Sequence, residues 1–154
     1  MAAGTFVVAN KAKLNMLNAT NLAGQTTFTN YKVALCGTSY TPAGTEEVWA
    51  DISANEIANG DGYTTGGAAA SSGSLSGTSG TVTFSLTFAT PTFTATGAGI
   101  PAWKYAVIYY SGTLNSKVNP VVGWFEGNSG STVPLTAAAD TITITTPTGV
   151  FTFA

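Results

Sequence analysis

Residues 100–126, IPAWKYAVIYYSGTLNSKVNPVVGWFE, carry two of the three tryptophans and a dense run of bulky apolar side chains. In WKYAVIYY one alternate set is Trp103, Tyr105, Val107 and Tyr109, and the other is Ala102, Lys104, Ala106, Ile108 and Tyr110. Both sets are largely apolar. A strand of this kind is covered on both faces, whereas a half-solvated strand alternates with polar residues. The segment therefore predicts the centre of a β-sheet. Val121, Val122, Trp124 and Phe125 are apolar enough to pair beside it, and residues 111–120, with Gly112, Asn115 and Pro120, read as the connecting turn or loop.

Working outward, the clearest alternation is Val82, Phe84, Leu86 and Phe88 against Thr81, Thr83, Ser85 and Thr87, a half-buried strand with a Thr/Ser outer face that Pro91 ends. A short extended piece begins at Phe93 and ends at Gly97. Ile142 and Ile144 alternate with threonines in a second such strand, and Pro147-Thr148-Gly149 turns the chain into Phe151 and Phe153. YKVALC at 31–36 is a compact strand bounded by Gly37, followed by a turn at SYTPAGT. Before it, Leu14 and Leu17 lie at helical spacing with Asn10 placed to cap, which predicts a short helix ending before Gly24. Residues 1–9 form an extended, small and apolar arm. Residues 66–80, GGAAASSGSLSGTSG, suit either a flexible linker or close backbone approach to a neighbour. The expected fold is all-β, a single-domain β-sandwich or barrel of jelly-roll type over residues 1–154, with one short N-terminal helix and the extended arm.

Composition narrows function. At 154 residues the chain fits one domain, which at this size buries roughly 68–70% of its unfolded surface. Only 8% of residues are charged, against about 25% in ordinary domains. The lysines at 11, 13, 32, 104 and 117 are scattered and no arginine joins them, a poor footprint for nucleic acid. No apolar run reaches the roughly 18 residues of a membrane helix. The lysines near the N-terminus follow the apolar run instead of preceding it, the wrong order for a secretory signal, so the chain is expected to be used as made. No nucleic-acid partner and no membrane are expected.

Catalytic parts are sparse. The chain has no histidine and one cysteine, which removes Ser-His-Asp and Cys-His arrangements and His- or thiolate-based metal sites. Cys36, within an apolar strand, is expected to be buried and inert. The carboxylates Glu46, Glu47, Asp51, Glu56, Asp61 and Glu126 are the acids near aromatics that a glycosidase-like pair could draw on. Asn59-Gly60-Asp61-Gly62 has some of the residues of a calcium loop but not the repeated spacing, and a tight turn accounts for it. Trp49, Trp103 and Trp124 could stack sugars, although strand aromatics are more often core. The expectation is a non-enzyme without cofactor or metal.

The order of pieces then adds a resemblance. Val33-Ala34-Leu35 followed by a turn and Glu47-Val48, Gly62-Tyr63, the central aromatic strand, and Asp140-Thr141-Ile142 opening a final strand together resemble a group of small structural proteins of tailed bacteriophages. The resemblance spans nearly the whole chain and its motifs are short. It implies a virion component, with labels in the group ranging from tail fibre or minor tail protein to capsid decoration. The expectation drawn from it is a capsid decoration or cement protein on the virion surface, assembled in the host cytoplasm. It would bind the major capsid protein as a homo-oligomer, a trimer by preference. Phe6, Val7 and Val8 of the arm, and the 66–80 stretch, would reach across to neighbouring subunits. The alternative is a minor tail or tail-fibre-associated protein that touches host glycans through the tryptophans.

Overall fold

A computed structural model describes residues 4–5, 7–9, 30–70, 82–86, 88–134, 136–145 and 149–153, of which 82–86, 129–130 and 149–153 are described as backbone alone. The helix expected from Asn10 to before Gly24, Phe6, and residues 71–80 lie outside these. The described residues are all-β, with short 3-10 turns at Trp49–Asp51, Ser53–Asn55 and Gly127–Gly130.

The strands in chain order are β1 (Val7–Val8), β2 (Tyr31–Cys36), β3 (Ala68–Ala69), β4 (Val82–Leu86), β5 (Thr92–Thr94), β6 (Tyr105–Tyr110), β7 (Thr113–Leu114), β8 (Lys117–Val118), β9 (Val121–Glu126), β10 (Thr141–Thr143) and β11 (Gly149–Phe153). Five of them form one sheet in the order β1-β9-β6-β2-β3, antiparallel throughout. The sheet does not close on itself among the described residues: β1 and β3 are its edges. β5 pairs with β10, β4 with β11, and β7 with β8.

As the double-sided apolar pattern requires, β6 sits in the middle, paired with β2 from Tyr31↔Tyr110 to Cys36↔Tyr105 and with β9 on the other side. A separate core lies on each face. One gathers Val33, Leu35, Ala106, Ile108, Val122 and Phe125 under Phe93 of β5 and Ile142 of β10; the other gathers Ala34, Cys36, Val107, Val121 and Trp124 under Tyr40, Trp49 and Ile52. Each fully buried Val, Ile or Leu contributes about 1.5–3 kcal/mol of transfer free energy, so the central strands are held from both sides. The register shifts between Ile108 and Tyr109: Ile108 faces Gly123 while Tyr109 faces Val121. This bulge leaves Val122 as the extra residue and puts Val121 and Trp124, three apart, on one face.

Two expectations are corrected. Trp103 does not share a face with Tyr105, Val107 and Tyr109. It precedes the strand, exchanges backbone hydrogen bonds with Val133 at 3.1 and 2.8 Å, and packs in the opposite core. The strand period therefore starts two residues later than the sequence pattern suggests. Residues 111–120 are also more than a loop, because they contain the β7–β8 hairpin. Its central pair Asn115 and Ser116 both take positive φ, 49° and 63°, which matches the twist of flanking strands. The alternation in β10 holds as read, with Ile142 buried between exposed threonines; the extended piece expected from Phe93 to Gly97 is the strand β5, Thr92–Thr94, with Phe93 buried between exposed threonines.

Candidate functional site

The arm is the first candidate. Val7 pairs with Trp124 and Val8 with Gly123, while the Gly4 N–H donates to the Glu126 carbonyl at 2.8 Å and the Ala9 N–H to the Val122 carbonyl at 3.2 Å. Where a reach to a neighbouring subunit was expected, this segment lies along its own chain's β9. Val7 remains 43% exposed, whereas Ala9 is fully buried. Val8, half-buried, packs against both cores. A hollow of about 310 Å³ beside the arm is lined by Thr5, Val7, Pro42, Tyr105, Trp124 and Glu126, among others. At the opposite edge, Ala68–Ala69 of the small-residue stretch pairs with β2 of the same chain. Gly67 permits the approach, since a Cβ there would lie 2.0 Å from the Val33 carbonyl oxygen.

The carboxylates are dispersed into separate local tasks. Glu46 Oε1 accepts from the Tyr40 hydroxyl at 3.0 Å and from the Ala43 N–H at 2.7 Å. Asp51 Oδ2 accepts the N–H groups of Glu47 and Val48, which hold its carboxyl below the usual range. Glu47 pairs with Lys117 at 3.1 Å on the surface, an arrangement worth about 0–1 kcal/mol. Asp61 Oδ1 accepts the Ala98 N–H, and Glu126 Oε1 the Tyr105 hydroxyl. Glu56 Oε1 accepts both the Tyr63 hydroxyl at 2.7 Å and the Gly66 N–H at 2.6 Å, and Tyr63 in turn accepts the Leu35 N–H at 3.0 Å.

The 59–62 segment is a hairpin turn. Gly60 and Tyr63 exchange backbone hydrogen bonds, Asp61 and Gly62 both have positive φ, and the Asn59 carboxamide accepts the Thr65 N–H. No group of three potential metal-ligating side chains occurs among the described residues.

Burial by itself would raise the Glu46 carboxyl, but donors from Ala43, its own N–H, Tyr40 and Gly44 outweigh it and hold the group below its ordinary 4.5. A carboxyl depressed in the folded state contributes stability that is present above pH 4.5 and is lost as pH falls through its folded value. Glu46→Gln is expected to cost about 1–2 kcal/mol at neutral pH and to flatten the acid limb of stability against pH. Denaturant melts across the acid range check this; a variant with the wild-type acid slope would exclude Glu46 as its source.

The tryptophans are core residues: Trp49 is 8% exposed, Trp103 2% and Trp124 8%. No three-indole platform faces solvent. Cys36 is fully buried, and burial followed by the Glu56 charge pushes its thiol up to about 12, as an inert core cysteine requires.

Comparison with protein-family models, with curated proteins and with solved structures returns no match. The site is therefore argued from geometry. The structure adds one element that the sequence pattern did not expose, a cleft of about 610 Å³ whose lining includes Trp49, Ser53, Glu56, Thr65, Lys117 and Asn119. Behind it, Trp49 stacks on Tyr109 with centroids 4.9 Å apart and planes 9° from parallel, and the Tyr109 hydroxyl donates to the Gly66 carbonyl at 2.7 Å. The Trp49 N–H donates to the Asn119 carbonyl at 2.8 Å, which ties the 3-10 turn to the end of the β7–β8 hairpin. These residues come from three separated segments, so no local pattern announces them. The signal that could have been used is the Asn115-Ser116 turn, which brings Lys117 back toward the strand region.

Proposed function

We propose that this chain is a non-enzymatic structural protein of a tailed bacteriophage virion, a capsid decoration or cement protein bound to the major capsid protein as a trimer or other symmetric oligomer. Its finer architecture, on this reading, is a jelly-roll-like β-sandwich. The observation that carries the proposal is the arm at an open sheet edge: Val7, 43% exposed, stands on a two-residue strand at the end of a sheet covered on both faces. An edge strand presents backbone N–H and C=O groups to which a neighbour can add a strand, and a rigid centre keeps that edge in place. The order of sequence pieces and the 8% charged content support the same reading, since a lattice-bound protein needs broad contact surface more than charge or chemistry.

Deleting residues 1–9 is expected to lower occupancy on purified capsids at least tenfold, equivalent to the loss of roughly 1.4 kcal/mol of binding. Unchanged occupancy would remove the arm from the mechanism. Copy number and location in an electron-microscopy map of intact virions test the wider proposal; absence from the shell overturns it, and binding to host cells but not to capsids turns the choice to the tail.

A further inference from the structure

We infer that the cleft beside Trp49 is a binding site for a small neutral saccharide. The inference does not depend on attachment to a capsid, which a separate occupancy measurement reads.

The volume of about 610 Å³ falls within the range of small-molecule sites, roughly 300–1,000 Å³. Its lining surface is mostly apolar, with Val48, Trp49, Ala50 and Val118 contributing, and hydroxyl, carboxamide, carboxylate and ammonium groups are set among them. A pyranose has the matching character, with C–H groups on its faces and hydroxyls around its rim. Glu56 uses Oε1 for both Tyr63 and Gly66, leaving Oε2 as an acceptor for ligand hydroxyls. Asn119 accepts the Gly112 N–H through Oδ1, leaving its amide N–H groups as donors. Ser53, whose hydroxyl donates to the Ala50 carbonyl at 3.5 Å, adds an acceptor, and Thr65 adds a hydroxyl that can donate and accept.

Charge selects against other small ligands. Lys117 is the cation in the lining and is already paired with Glu47 at 3.1 Å, while Glu56 brings a negative charge. A phosphate or a sialic acid would meet that carboxylate, and the cation among the lining residues is already held by Glu47. The walls are fixed before any ligand arrives: the Trp49–Tyr109 stack, the Glu56 hydrogen bonds and the Trp49–Asn119 backbone bond all lie within the fold. Preorganisation of this kind reduces the ordering cost of binding.

Maltose, lactose and cellobiose serve as probes, with saturation-transfer NMR and calorimetry on the full chain. At least one is expected to bind with a Kd on the order of 1 mM. Ser53 is exposed at the rim, so Ser53→Trp should fill the cleft and abolish the transfer while leaving the thermal melt in place. Glu56→Gln keeps an acceptor for Tyr63 and Gly66 and should weaken binding roughly tenfold. Absence of transfer from all three sugars, tighter binding of sialyllactose than of lactose, or wild-type transfer in Ser53→Trp would each overturn the inference.

Discussion

Trp103→Ala is expected to destabilise the protein by about 3–5 kcal/mol, seen as a large fall in the urea midpoint or as an unfolded chain at room temperature. Trp103 is 2% exposed and is among the largest fully buried side chains. It fills the core beneath β6 and meets Gly127 so closely that a Cβ there would come within 2.7 Å of its ring carbons. Truncation leaves a cavity in a site framed by the backbone hydrogen bonds between Trp103 and Val133 and by the Gly127 N–H donating to the carbonyl of the next residue, Lys104, so little collapse is available. A typical domain has only about 5–15 kcal/mol to lose. Trp103→Phe is the informative companion. The Trp103 Nε1–H is buried without an acceptor among the described residues, a loss that phenylalanine avoids. It should therefore cost less than half as much as alanine. Equal costs for the two would mean that the indole's outer ring, and not the bulk near Cβ, supplies the packing.

The second large effect is expected at Gly67, with Gly66 as its control. Both have positive φ, 87° at Gly66 and 74° at Gly67, a conformation that costs an L-residue roughly 1–2 kcal/mol. They differ in what a methyl would meet. At Gly66 the nearest atom is the Tyr109 hydroxyl at 3.4 Å; at Gly67 it is the Val33 carbonyl oxygen at 2.0 Å, part of the β2 backbone. Gly66→Ala should cost about 1–2 kcal/mol. Gly67→Ala should exceed about 3 kcal/mol, because β3 must leave its ladder with β2 to clear the clash. Thermal melts of the pair, with hydrogen exchange at Ala70, whose N–H donates to the Tyr31 carbonyl, decide the point. Similar costs at the two glycines would mean that the β2–β3 edge yields easily.

The sequence made the sheet's centre legible because β2, β6 and β9 are apolar on both faces, a pattern with few other readings. β10 was legible for the opposite reason, its clean exchange of threonine with one large apolar residue. Short strands were harder. β7 and β8 have two residues each, too few for a period, and only the positive-φ pair between them marks the hairpin. Trp103 misled because alternation along WKYAVIYY continues in the sequence across a point where the chain changes partners from Val133 to Cys36, to whose carbonyl the Lys104 N–H donates. Composition correctly suggested that Cys36 and the tryptophans belong to the core. The cleft was hidden because its lining comes from residues 48–56, 65 and 116–119, three segments that meet on folding through the Trp49–Asn119 and Val121–Glu47 backbone bonds and the Lys117–Glu47 ion pair.

The place of β1 also sets an order of events during synthesis. β1 leaves the ribosome well before its partner β9, with residues 9–120 still to be made between them. At about 5–20 residues per second, the arm waits on the order of 10 s before it has a strand to join. β6 likewise must be complete before β2 gains its longer partner, although β2 can pair earlier with β3, so the nascent chain holds most of its sheet unformed until late. Contacts this distant in sequence fold slowly. In a cell making many copies at once, each waiting arm is open to capture by the finished edge of another molecule, and the yield of monomer should fall as expression rate rises.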